Sequence, residues 1–93
     1  ELGVYEPKSK TYLRERFPDT YELLSMTGNI GIMDDKLFSH LHVVLAGPDF
    51  KALGGHLFSA TVAVTVEAKV EQLEMPLHRK LHDELKIGLL NFS

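Results

Sequence analysis

Apolar and polar residues alternate most regularly in the second half of the chain. From Gly55 to about Val70, the residues Phe58, Ala60, Val62, Val64, Val66, Ala68 and Val70 fall on one face, and Ser59, Thr61, Thr65, Glu67 and Lys69 fall on the other. Period-two alternation over that length predicts a half-buried strand of an antiparallel sheet. Leu37 to Ala46 predicts a second strand, with Leu41, Val43 and Leu45 on one side and His40, His42 and Val44 on the other. Between them, Gly47-Pro48-Asp49-Phe50 has proline at the second turn position, a type I arrangement. Upstream, Tyr21 to Met26 predicts a strand that continues to Met33 through Gly28 and Gly31 and then turns at Asp34-Asp35-Lys36. Glycines inside a strand pattern mark a bulge or a close approach of another backbone. Residues 1–10 predict a strand end running into a turn, and Tyr12 to Phe17 a short segment before the turn at Pro18-Asp19. After Pro76, Leu77, Leu81 and Leu85 recur at four-residue spacing, which predicts one or two helical turns closed by Gly88, with Leu89 to Phe92 returning to the sheet. The fold class expected is therefore α+β, mainly antiparallel sheet with one short helix near the C-terminus.

Composition narrows the class. Ninety-three residues make one domain, 44% hydrophobic and 25% charged, ordinary for a globular protein. No stretch approaches the ~18–20 apolar residues of a membrane span, and the charged opening Glu1 to Lys10 has no signal-peptide core. The chain opens without methionine, which is expected of a piece of something longer. Cysteine is absent, so disulfides and thiolate metal sites are excluded, and the expected location is the cytoplasm. A domain this small without disulfides often gains stability by oligomerising. The net charge of −3 spreads ten basic among thirteen acidic residues. Phosphate neutralisation requires a basic face, so from charge alone DNA is a weak partner.

The candidate chemistry lies between Ser39 and Thr61. His40 and His42 are two apart and share a face of their strand, and His56 follows Gly54-Gly55 on the return. If paired residue numbers add to 98, His42 stands directly opposite His56 and His40 is its diagonal neighbour. If they add to 99, His56 faces away unless a bulge at Gly54-Gly55 restores it. In the even register three neutral imidazoles suit Zn²⁺ or another divalent metal, with the fourth position left open; otherwise the three form a polar patch. Glu67 is open to three readings: a general base, a hydrogen-bond partner of a metal-ligating histidine, or an exposed carboxylate. His78 and His82 are expected to be solvated beside Arg79 and Lys80 on the helix, since the residue after His78 is Arg79 and not the Glu of a zincin motif. No Ser/His/Asp order, P-loop or dinucleotide fingerprint is present.

His40-Leu41-His42, Gly54-Gly55-His56-Leu57 and Thr65-Val66-Glu67 together resemble the PPC (plants and prokaryotes conserved) domain. Supporting stretches are Leu2-Gly3-Val4-Tyr5-Glu6-Pro7 with Tyr12, Tyr21-Glu22-Leu23-Leu24-Ser25 with Gly28-Asn29-Ile30, and Asp83-Glu84 with Gly88-Leu89-Leu90. The domain occurs alone in prokaryotes and joined to AT-hooks in plant nuclear proteins. The resemblance implies an antiparallel α/β sheet, a homotrimer and a metal at His40, His42 and His56. It also implies that residues 1–93 are the later two-thirds of one domain, because the family has a strand, a helix and a strand upstream. The label of DNA-binding protein carried by such prokaryotic domains leans on the AT-hook, which is absent here.

Three functions follow as expectations. The first is a homotrimeric interaction or regulatory module with a three-histidine metal site. The second is a small metal-dependent hydrolase or lyase that uses a zinc-bound water. The third is a DNA-associated architectural protein acting as an oligomer. Neither a catalytic residue nor a small-molecule ligand is specified by the sequence.

Overall fold

The computed structural model describes residues 1–91, whose strands form a single mixed sheet. Its strands are β1 Leu2–Glu6, β2 Thr11–Glu15, β3 Glu22–Met33, β4 Lys36–Ala46, β5 Ala52–Leu57, β6 His78–Leu81 and β7 Gly88–Asn91. In space they lie in the order β2-β1-β5-β4-β3-β6-β7. All pairings are antiparallel except the short parallel contact of β3 with β6, Ile32 opposite His78.

The longest hairpin forms because Asp34 and Asp35 both accept positive φ, 51° and 61°. Two left-handed residues give the tight turn whose twist matches antiparallel strands. That turn fixes β3 against β4 from Met33–Lys36 to Thr27–His42 and beyond, with one irregularity at Leu24. Here the two strand glycines serve close approach and not a bulge: a Cβ on Gly28 would lie 1.9 Å from the His40 carbonyl oxygen.

β4 turns into β5 through residues 47–51, where the Phe50 amide donates to the Gly47 carbonyl at 3.0 Å and Phe50 takes φ 64°. The Lys51 amide donates to Asp49 Oδ1 at 3.0 Å. The resulting ladder pairs Ala46 with Ala52 and His42 with His56, without a bulge at Gly54-Gly55. Those glycines instead let two neighbours close in, since a Cβ would meet the Val43 carbonyl oxygen at 2.5 Å from Gly54 and the Gly3 carbonyl oxygen at 2.6 Å from Gly55. On β4, Val43 is 4% exposed and is, with Leu2, the buried apolar core among the described residues.

Two expectations are overturned. Among the described residues there is no helix, so the architecture is all-β and not α+β. Residues 78–81 are extended and pair with Gly88–Asn91, from His78–Asn91 to Leu81–Gly88. A helix of one or two turns is intrinsically marginal, and the hairpin satisfies the same backbone groups while turning one side chain, Arg79, inward. The four-residue leucine spacing was coincidental: Leu81 is exposed on the strand, and Leu85 sits in the connecting turn, where its carbonyl accepts from the Tyr5 hydroxyl.

The strand expected from Gly55 to Val70 stops at Leu57. β5 has β4 on one side and β1 on the other, and β1 pairs only as far as Leu2 opposite Leu57. The next two amides, of Phe58 and Ser59, both reach the Glu1 carbonyl, at 3.0 and 3.3 Å. Beyond them the described sheet offers no partner. Val64 and Val70, expected to be half-buried, are 92% and 80% exposed.

Candidate metal centre

β4 and β5 bring three histidines together. His40 and His42 project from the same face of β4, and the ladder sets His56 directly opposite His42. The ring centroids are 4.8 Å apart for His40–His42, 5.4 Å for His40–His56 and 5.8 Å for His42–His56. One nitrogen from each ring lies within 4.8 Å of the others. A tetrahedral zinc with Zn–N near 2.0–2.1 Å separates its nitrogens by about 3.3 Å, so the three rings would have to close in to hold one.

The face is asymmetric. His40 and His56 are half-buried and His42 is exposed, so one ring is open to solvent and two are backed by protein. Behind His56 stand Tyr12 and Phe58, with ring centroids 5.0 and 4.7 Å from it. Arg14 lies 3.7 Å over the Phe58 ring while its Nε donates to Glu1 Oε2 at 2.6 Å, and that contact chiefly holds the Glu1 carboxyl below its ordinary range. Behind His40 lies Arg79, 8% exposed, whose Nη2 donates to Asn29 Oδ1 at 3.1 Å and to His40 Nδ1 at 2.9 Å. Its Nη1 donates to the Gly88 carbonyl at 2.9 Å and ties β7 to the site.

Burial lowers the His40 pKa below its ordinary 6.5, and the charges of Arg79, His42 and His56 push it the same way. His56 is lowered for the same leading reason, followed by His42, Arg14 and Arg79. Both rings are thereby biased to the neutral form that ligates metals. The Nδ1 of His56 is buried and has no hydrogen-bond partner among the described residues. A buried polar atom left unpaired is costly, and a ligand would relieve it. Three converging imidazoles, two of them biased to the neutral form and one with an orphaned nitrogen, fit zinc or another nitrogen-seeking divalent metal.

The other candidates lie elsewhere. Glu67 is exposed in the unpaired stretch after β5, and no hydrogen bond or ion pair links it to the triad. His78 is exposed on β6, and the Nδ1 of His82 accepts from the Leu85 amide at 3.2 Å within its turn. Sequence reasoning missed Asn29 and Arg79. The first had a signal: a two-residue turn at Asp34-Asp35 fixes Asn29 opposite His40. For Arg79, a strand instead of a helix over His78–Leu81 would have placed it alone on the inner face, between exposed His78 and Lys80.

Residues 1–74 match the Plants and Prokaryotes Conserved (PCC) domain. The chain belongs to this family. The PCC fold also accounts for its similarity to solved structures. A proposed DNA-binding protein of Bacteroides thetaiotaomicron is 29% identical with TM-score 0.81, over 98% of this chain and 64% of that one. A metal-containing protein of Archaeoglobus fulgidus is 30% identical with TM-score 0.75, over 97% and 64%. A proposed DNA-binding protein of Ralstonia eutropha is 25% identical with TM-score 0.76, over 99% and 64%. This PCC chain thus spans 64% of the length of each of these structures. Among proteins with curated descriptions, none matches it.

Proposed function

We propose that this PCC domain is an oligomeric regulatory module, acting as a homotrimer, in which His40, His42 and His56 hold a divalent metal, most suitably zinc. The observation that carries the proposal is the convergence of three imidazole nitrogens within 4.8 Å on adjacent strands. Support comes also from the orphaned His56 Nδ1 and from the metal-containing relative. In that role His56 is positioned by β5 and braced by Tyr12 and Phe58, His40 is backed by Arg79, and His42 closes the solvent side. Bound there, the metal would supply a Lewis-acidic position with one open coordination site.

Oligomerisation is supported by the shape of the described sheet, whose extents of 45 × 35 × 17 Å are those of a single layer. Large apolar side chains remain exposed, such as Leu37 at 83% on β4 and Phe50 at 92% in the turn that follows it. A sheet normally buries at least one face. A role at DNA is suggested by the two relatives proposed to bind it. With a net charge of −3 such a role would depend on assembly or on a protein partner. Without cysteine the domain suits the cytoplasm. No observation favours the hydrolase or lyase alternative, since no carboxylate of the described residues stands at the triad to act as general acid or base.

Metal analysis of protein purified without added metal tests the proposal. The expected result is about one equivalent per chain in the wild type and loss in His56→Ala. Metal-free wild type, or unchanged content in the variant, would sink it. Light scattering tests the trimer, with a mass three times that of one chain as the expected outcome.

A further inference from the structure

The contact between Arg79 and His40 bears on how the triad takes up a metal. A guanidinium carries only donors and stays protonated in proteins. His40 Nδ1, 2.9 Å from Arg79 Nη2, is therefore the acceptor. A neutral ring that accepts at Nδ1 carries its proton on Nε2, so His40 rests in the Nε2–H tautomer.

Neither nitrogen of that ring is then free to ligate. If Nδ1 binds a metal, its lone pair is no longer available to Arg79. If Nε2 binds instead, the neutral ring must move its proton to Nδ1, where it would point at the guanidinium N–H groups. Metal-ligating histidines ordinarily donate their second ring N–H to an acceptor, and Arg79 cannot accept. Through either nitrogen, neutral His40 cannot hold a metal and the Arg79 hydrogen bond together.

We infer that Arg79 is a positioning residue that competes with the metal for His40, so that loading the triad requires the Arg79–His40 hydrogen bond to break. This rests on the metal reading of the triad. Arg79 can yield without leaving its place, because Asn29 Oδ1 and the Gly88 carbonyl still hold its two terminal nitrogens. Its charge acts in the same direction as its hydrogen bond. Arg79 is 8% exposed and forms no ion pair among the described residues, so it opposes any cation arriving at the neighbouring histidines. In the metal-free protein the site is therefore His42 and His56 plus a masked third ligand.

The test combines histidine ¹⁵N NMR with Zn²⁺ titration against a competing chelator, on wild type, Arg79→Met and Arg79→Lys. In metal-free wild type, His40 should show the Nε2–H tautomer, and zinc should abolish the signature of the Arg79 bond. Arg79→Met should bind zinc at least tenfold more tightly than wild type, and Arg79→Lys, which keeps a charged donor, should stay within a few-fold of it. An Nδ1–H tautomer for His40 in metal-free wild type overturns the inference whatever the zinc result, and needs no variant to fold. Equal or weaker binding by a folded Arg79→Met overturns it as well. If neither wild type nor Arg79→Met binds zinc, the metal reading fails and the competition with it. A wild type that binds zinc while His40 keeps its Arg79 bond leaves the metal reading standing and removes this inference alone.

Discussion

His42 stands directly opposite His56 across the β4–β5 ladder, yet the two differ in what surrounds them. His42 is exposed, while His56 is half-buried against Tyr12 and Phe58 with one nitrogen unpaired. Their substitutions should therefore separate metal binding from folding. His42→Ala should weaken zinc binding at least tenfold while changing stability by no more than about 0.5 kcal/mol, the range of ordinary surface changes. His56→Ala should lose zinc and also unfold at lower denaturant, because it removes the ring packed against both Tyr12 and Phe58. Chelator competition and urea unfolding of the two variants measure both effects.

Acid should act on the triad through His40 and His56. Both have folded-state pKa values below the ordinary 6.5, chiefly through burial. Between the lowered value and 6.5 the unfolded chain binds more protons than the folded one, so stability rises with pH across that window. The full stability is present above 6.5 and is lost as pH falls through the folded values. Thermal melts of metal-free protein should show a falling midpoint from neutral pH toward pH ~5, and a double substitution His40→Gln with His56→Gln should flatten that slope. Zinc affinity should fall over the same range, since protons and metal compete for the same nitrogens.

Gly28→Ala should damage the site from a distance. The added methyl would lie 1.9 Å from the carbonyl oxygen of His40, so β3 and β4 must part where a candidate ligand is anchored. Forced overpacking costs about 1–3 kcal/mol and sometimes more. Denaturant unfolding should show that loss, with zinc affinity falling alongside it. Unchanged zinc affinity in a destabilised variant would show that the triad tolerates movement of β4.

Duplex DNA should bind this chain only weakly. With thirteen acidic against ten basic residues, nonspecific affinity should be no tighter than about 10⁻⁶ M at physiological salt. Fluorescence anisotropy across a salt series measures it. Nanomolar binding that persists at 150 mM salt would mean that the oligomer gathers a basic surface the single chain lacks.

The convergence of the three histidines was more legible in the sequence than the fold around it. Strand periodicity places His40 and His42 on one face, and of the two hairpin registers the sequence leaves open, the ladder has the even one centred on Asp49, with His42 opposite His56. The shared face of His40 and His42 rests on local geometry, which a strand fixes by itself; the register rests on the short turn that joins β4 to β5. The failures came where the outcome depends on neighbours. The stretch after Phe58 alternates regularly apart from Ala63, but alternation states only that one face could be buried, and the described sheet has no strand to pair it. His78 to Leu81 has helical leucine spacing, but its backbone found a partner in Gly88–Asn91. Arg79 was hidden by the same error, because on a helix it belongs to a basic solvated surface and on a strand it points at His40.

The place of β4 in the sheet has one more consequence. It is the middle strand of the seven, paired along both edges, and it supplies two of the three histidines. Amide hydrogens in such a strand exchange slowest, through openings that approach global unfolding in free energy, while edge strands open locally and often. The histidines of β4 therefore sit where the backbone is released last. The triad should persist through fraying of β2 and β7 and disappear only when the whole sheet melts.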